Sequence, residues 1–377
     1  MLQSAVLLVL AAASNVVSAR WCRDLTIPVS LTSRNAVFDI EPLKTEIDVT
    51  NFYLELGKQG GNLTDKLVKG YKTVSGIYTL AATYCVPDTG PGDVLQIMTH
   101  GVGFDRSYWD PPIDDYKYSY VARAVDDHGY STLTWDRLGV GKSSHGETIN
   151  EIQIFLEIAA LAELTRKFVN CTVCEHSYKQ VVHLGHSFGS AMTYGLVNQY
   201  PDISNGIVLT GFSQIPAYMG LFALGGNFVP VSSVPSLASQ YAEGYVAAGS
   251  KSAVHTNFFG PDDFDPAVLD WLYEHGQANT PGEILTVGAT GGVANVFHGP
   301  SLVITGERDV PFCGGDCYAT SAIQNKAPNL IAASEEFFPN ASPFNATVIP
   351  KAGHGLNLGY SADLAFDTIL EFLEAHV

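Results

Sequence analysis

Short apolar runs separated by amphipathic stretches fill most of the chain. Residues 94–99 (VLQIMT), 130–135 (YSTLTW), 180–184 (QVVHL), 206–210 (GIVLT) and 301–305 (SLVIT) each read as a short buried strand bounded by turn residues. Residues 71–86 alternate as a strand or hairpin does, and 347–350 reads as a further strand. Apolar positions recur with helical period over 118–127, 150–169, 188–199 and 361–375, and Thr148 and Glu151 are spaced as a capping signal ahead of the second of these. Strands alternating with helices imply a largely parallel sheet covered on both faces, an α/β architecture. Residues 20–70 lack a clear period and read as an irregular extension with one helix near 51–58.

One stretch interrupts the alternation. Residues 203–242 contain no Asp, Glu, Lys or Arg and are rich in Gly, Pro, Phe and Leu. They open an insertion that runs to about residue 298, between two expected sheet strands. Pro216, Gly220, Gly225 and Pro230 argue against a membrane span, and an apolar cap over a pocket is the expectation. The opening residues read differently again. Residues 5–13 (AVLLVLAAA) form a short apolar run, and Val17-Ser18-Ala19 supplies small residues where a signal peptidase cuts. The expected organisation is therefore a signal peptide at 1–19, an extension at 20–70, an α/β core at 71–212 and 299–377, and a cap at 213–298.

Composition narrows the partners. The 377 residues carry 20 Lys+Arg against 38 Asp+Glu, a formal net charge of −18. That charge disfavours nucleic acid and anionic membranes. With 46% hydrophobic and 15% charged residues the chain is not disordered. Its six cysteines suggest three disulfides in an oxidising compartment, with Cys22–Cys85, Cys171–Cys174 and Cys313–Cys317 the expected pairs; a four-cysteine zinc site is the weaker alternative. Sequons at Asn62, Asn170, Asn340 and Asn345 fit a secreted glycoprotein.

The chemistry concentrates in four segments. Gly185-His186-Ser187-Phe188-Gly189 follows the strand QVVHL and opens a helix, the context of a nucleophile elbow with Ser187 at its tip. A serine hydroxyl needs a base, and His354, in the glycine-flanked loop Pro350-Lys-Ala-Gly-His-Gly355 after a strand, is best placed among the later histidines. Asp309, at the end of Leu302-Val-Ile-Thr-Gly-Glu-Arg-Asp309, is the expected orienting acid. The alternative acid position, at the end of the preceding strand, falls on Thr210-Gly211 inside the uncharged stretch. Upstream, His100-Gly101-Val102-Gly103 follows a strand, and the N–H groups of Val102 and Phe188 are the expected oxyanion donors.

Taken together, the His-Gly loop, Gly-x-Ser-x-Gly, Asp and His, in that order, resemble the α/β-hydrolase superfamily over roughly residues 71–377. Trp135-Asp136-Arg137-Leu-Gly139-Val-Gly141-Lys-Ser143 is similar to that family's Asp-x-x-Gly-x-Gly-x-Ser loop, and the segment around Cys22–Pro28 looks like that of secreted fungal members. The resemblance implies an α/β-hydrolase fold: a mostly parallel sheet, helices on both faces and an inserted cap. No cofactor is implied. Gly141-Lys142-Ser143 lacks the first glycine of a phosphate loop, Gly101-x-Gly103 lacks the third glycine of a dinucleotide fingerprint, and no metal motif occurs. A serine at 187 also excludes relatives that need a carboxylate nucleophile. The expected activity is hydrolysis of carboxylic esters of apolar, small or lipophilic substrates. A peptidase trimming N-terminal residues is the main alternative and would need acids such as Glu243, Asp262, Asp263 or Asp265 for the substrate amine. A tailoring hydrolase of secondary metabolism and a non-catalytic binding protein are the others.

Overall fold

The computed structural model describes residues 20–173 and 176–377. The expected signal peptide and Cys174, hence the Cys171–Cys174 pairing, lie outside the described residues. Ten strands are present among them: β1 (Trp21–Phe38), β2 (Val68–Val86), β3 (Val94–Thr99), β4 (Ser131–Trp135), β5 (Gln180–His186), β6 (Gly206–Thr210), β7 (Phe228–Pro230), β8 (Val246–Ala248), β9 (Ser301–Gly306) and β10 (Phe344–Ile349). Eight form one sheet in the order β1-β2-β4-β3-β5-β6-β9-β10, while β7 and β8 make a separate antiparallel pair. Pairing is parallel from β4 through to β10 and antiparallel for β1–β2 and β2–β4. Strands β3, β4, β5, β6 and β9 are buried almost throughout, including polar members such as Gln96, Thr132 and His183, as expected where both faces of a sheet are covered. Helices Ile154–Val169 and Phe188–Gln199 pack together as one pair. The helical turns over 120–127 meet helix Ala362–His376 through Tyr120 against Phe366 and the Arg123–Asp367 ion pair.

The N-terminal segment departs from the irregular extension expected there. β1 is an 18-residue strand paired with β2 along its whole length, and helices Glu46–Leu56 and Leu63–Leu67 follow it. Alternation is present in β1, with Ile27, Val29 and Leu31 buried between exposed neighbours. Pro28 is tolerated because β1 is an edge strand. Cys22 and Cys85 sit directly opposite each other in this hairpin and form a disulfide, and Cys313–Cys317 form the second.

The capping signal at Thr148 and Glu151 is not used either. The helix starts at Ile154, after Gln153, with no side-chain cap. Its lead-in is committed to the N-terminal hairpin instead. Glu151 Oε1 accepts from the Tyr78 hydroxyl (2.7 Å), Asn150 Oδ1 from Phe38 N–H (2.7 Å), and Gln153 both accepts from and donates to the Ala36 backbone (2.9 Å each).

The chain leaves β3 towards β4 on one side and continues from β5 towards β6, β9 and β10 on the other. The order therefore reverses between β3 and β5, where open α/β sheets form crevices at the carboxyl ends of their strands. Residues 211–300, between β6 and β9, supply β7, β8 and helices Met219–Gly225, Lys251–Phe258, Pro266–His275 and Pro281–Thr286. No helix among the described residues is long and apolar enough to cross a membrane.

Candidate active site

Ser187 lies at the carboxyl end of β5, immediately before helix Phe188–Gln199, with φ 55° and ψ −114°. A non-glycine residue held there is strained and needs its surroundings to over-determine it. Two glycines make the turn possible. A Cβ on Gly185 would lie 2.4 Å from the Gly189 carbonyl oxygen, and one on Gly189 would lie 2.3 Å from that of Thr99. The Ser187 N–H donates to Thr210 O (2.9 Å), fastening the elbow to the end of β6.

Asp309 and His354 are brought together from the ends of β9 and β10. His354 Nδ1 lies 2.7 Å from Asp309 Oδ2, with both side chains buried. Asp309 Oδ2 also accepts from Thr305 Oγ1 (2.5 Å), and Oδ1 accepts from Phe312 N–H (2.8 Å), so the carboxylate plane is fixed. The glycines flanking His354 are required by a close backbone pass: a Cβ on Gly353 would meet Gly260 N at 2.3 Å, and Gly355 N–H donates to Phe258 O (2.8 Å). Phe258 and Phe312 lie against the imidazole. Its Nε2 is buried and makes no hydrogen bond among the described residues, Ser187 Oγ included. Such bonds are often long before substrate binds. At the empty alternative acid position, Gly211 has φ 53°, and a Cβ there would lie 2.9 Å from the His354 ring.

The neighbouring His186 is held differently. Its ring stacks on Tyr108 at 4.3 Å, and burial, then the nearby His354, holds its pKa well below the ordinary histidine range.

Ser187, Val102 and Phe188 all line one cavity of about 600 Å³. No hydrogen bond among the described residues uses the Val102 N–H, and the Phe188 N–H, at the first position of its helix, has no intrahelical acceptor. The walls are largely apolar. Met219, Phe222 and Ala223 come from the uncharged stretch, and Leu285 and Val287 from further along the same insertion. Ala36, Phe38, Tyr53, Leu63, Val68 and Tyr71 come from the N-terminal hairpin and its helices. This second wall was not legible as a site, although the alternation through Ile27–Leu31 and the apolar cluster Phe52–Leu56 were available signals. Asn62 and Asp65, hydrogen-bonded to each other, add polar lining. The Asp136 loop is a brace: Asp136 holds Arg106, Arg106 N–H and Lys142 N–H, and burial pushes its carboxyl up to about 6.

A model of the alpha/beta hydrolase family matches residues 96–366. The chain belongs to the alpha/beta hydrolase family. Among solved structures it is similar to a thermophilic esterase from Thermogutta terrifontis, with 17% identity, TM-score 0.54, and 80% of this chain and 96% of that one covered. It is also similar to a bromoperoxidase from Bacillus anthracis, with 18% identity, TM-score 0.52, and 79% and 96% covered. An enol-lactonase from Burkholderia xenovorans LB400 has 16% identity, TM-score 0.52, and 79% and 97% covered. At these identities the likeness speaks to the fold. No curated protein matches.

Proposed function

We propose that this alpha/beta hydrolase is a secreted serine hydrolase that cleaves carboxylic esters of apolar substrates. The observation that carries the reading is Ser187 itself: a strained elbow serine opening onto a largely apolar cavity that Val102 and Phe188 also line. In the proposed cycle Ser187 Oγ attacks the ester carbonyl carbon, and His354 Nε2 takes the hydroxyl proton. Asp309 holds the other imidazole nitrogen protonated and stabilises the imidazolium. The N–H groups of Val102 and Phe188 receive the developing oxyanion. The tetrahedral intermediate expels the alcohol, protonated by His354, and leaves an acyl-serine. Water, deprotonated by His354, then releases the acid and restores Ser187. The segment 213–298 serves as the cap, sharing the pocket with the N-terminal hairpin. Secretion fits the two disulfides and the four exposed sequon asparagines.

The peptidase reading is less well supported. Glu243 pairs with Lys44 at the surface, Asp263 is bonded to Ser361, and Asp265 caps helix Pro266–His275. Neither these nor Asp262 lines the cavity. The test is a panel of p-nitrophenyl esters of increasing chain length beside aminoacyl-p-nitroanilides, run on wild type and Ser187→Ala. Ester turnover that depends on Ser187, together with Ser187-dependent fluorophosphonate labelling, is expected. Faster turnover of the anilides would reverse the substrate assignment, and absence of labelling would remove the enzyme reading altogether.

A further inference from the structure

The turn after β4 contributes a buried guanidinium to which the proposed cycle gives no task. Arg137, Glu157 and Glu283 are all excluded from solvent. Arg137 Nη1 donates to Glu157 Oε2 (2.6 Å) and to Glu283 Oε1. Glu283 Oε2 in turn accepts from Thr280 N–H (2.6 Å). Two carboxylates against one guanidinium would leave an excess buried charge. Burial, opposed by the Arg137 guanidinium, pushes the Glu157 carboxyl well above its usual range.

The rest of Arg137 points to the expected oxyanion donors. Its backbone N–H donates to His100 Nε2 (3.0 Å), which makes that nitrogen an acceptor and places the ring proton on Nδ1. His100 Nδ1–H therefore donates to the Gly101 carbonyl oxygen (2.8 Å). Arg137 Nη2 approaches the same oxygen at 3.4 Å. The Gly101 carbonyl and the Val102 N–H belong to one peptide plane and point in opposite directions. Two donors on the carbonyl thus fix the direction of that N–H and polarise it as a donor. The guanidinium carbon also lies 4.5 Å from the centre of the Phe188 ring.

We propose that Arg137 is the positioning residue of the oxyanion hole. It sets the Gly101–Val102 peptide plane through the Gly101 carbonyl and His100, and it braces Phe188 through its ring, so both donors are aimed before substrate arrives. The inference rests on reading Val102 and Phe188 as the oxyanion donors. Glu157, from helix Ile154–Val169, and Glu283, from the cavity-lining segment after β8, hold the guanidinium in place, so the donors and part of the pocket wall share one buried anchor.

The test uses the full-length protein as Arg137→Lys, Arg137→Met and the triple variant Arg137→Met, Glu157→Gln, Glu283→Gln, which removes the charge from all three positions. Each is assayed for kcat and KM on a short-chain p-nitrophenyl ester, for thermal midpoint, and for affinity towards a trifluoromethyl ketone. That ketone adds the serine hydroxyl to its carbonyl and places an oxyanion in the hole. The folded triple variant is expected to lose about 10²-fold in kcat with KM nearly unchanged, and to lose ketone affinity by a similar factor. Arg137→Lys recovers only part of this, because one ammonium cannot span the carboxylates and the Gly101 oxygen. Folded variants that keep kcat and ketone affinity within about threefold of wild type would overturn the proposal. A kcat loss without loss of ketone affinity, or unfolding of all three variants, would make Arg137 a purely structural brace and overturn it too. Wild type with no Ser187-dependent turnover would instead remove the hydrolase reading on which it rests.

Discussion

Asp309 Oδ2 and His354 Nδ1 are 2.7 Å apart, with both side chains buried. The carboxylate is also held by Thr305 and by the backbone of Phe312, so the imidazole meets a fixed acceptor. In the proposed cycle this leaves the Nε2 lone pair to act as base. Asp309→Asn should preserve the packing but present an amide that no longer enforces this tautomer. We expect kcat to fall by about 10⁴ with a small change in thermal midpoint. Ester kinetics with fluorophosphonate labelling rates check this. Activity within an order of magnitude of wild type would assign the acid elsewhere.

The apolar cavity makes a second prediction, about chain length. Ala223 lines it from helix Met219–Gly225, which packs against helix Glu46–Leu56 of the N-terminal segment. Ala223 is itself buried at the cavity wall, so Ala223→Phe presses on packed neighbours as well as into the cavity and should cost roughly 1–3 kcal/mol in stability. Turnover of long-chain p-nitrophenyl esters should fall at least tenfold, through KM, while acetate or butyrate esters change little. An equal loss across all chain lengths would mean that Ala223 does not face the acyl path.

These residues show where the sequence was informative. The elbow, the acid and the histidine each sit where a strand ends in a turn, and their glycine flanks record close backbone passes that no other residue permits. Such constraints are local and can be read in one pass. The long β1–β2 hairpin and the second pocket wall are not local. Phe38, Tyr53 and Tyr71 become wall residues only because β1 lies beside β2 and the helices between them fold over the cavity. The lead-in at Asn150–Gln153 shows the same effect: polar side chains resembling a helix start are used on the β1 backbone, a tertiary demand that overrides the capping pattern. Arg137 looked like part of a structural loop, and only the three-dimensional meeting of Glu157, Glu283 and Gly101 gives it a role.

The Cys22–Cys85 bridge closes a sequence separation of 63 residues across that hairpin. In the chain-entropy model a loop of this length contributes about 4 kcal/mol by restricting the unfolded chain. Replacing both cysteines by serine should therefore lower unfolding free energy by about 2–4 kcal/mol, the lower end applying if the unfolded hairpin keeps residual structure. Denaturant unfolding monitored by fluorescence measures this. Ester turnover of the folded variant should remain near wild type on short-chain substrates, since neither cysteine lines the cavity. A loss below about 0.5 kcal/mol would show that strand pairing alone holds the two ends.

His183 gives a prediction with a defined sign. It is buried in β5, its ring nitrogens lie 2.9 Å from the hydroxyl oxygens of Thr165 and Ser204, and burial pushes its pKa down to about 3. In the unfolded chain the imidazole titrates near 6.5. As pH falls below that value the unfolded state takes up a proton that the folded state refuses, so stability is lost with acidification. Between pH 7.5 and pH 5 this one residue should account for about 2 kcal/mol of lost stability. His183→Gln keeps a polar side chain in the same pocket but removes the titration. At pH 7.5 the variant should be less stable than wild type, because its hydrogen bonds fit less well. The gap should narrow by about 2 kcal/mol at pH 5, whatever the other groups contribute, since they are common to both proteins. Urea unfolding of the pair at the two pH values measures the difference directly. A constant gap would mean that His183 takes up its proton in the folded state, with the β5 core opening to admit it.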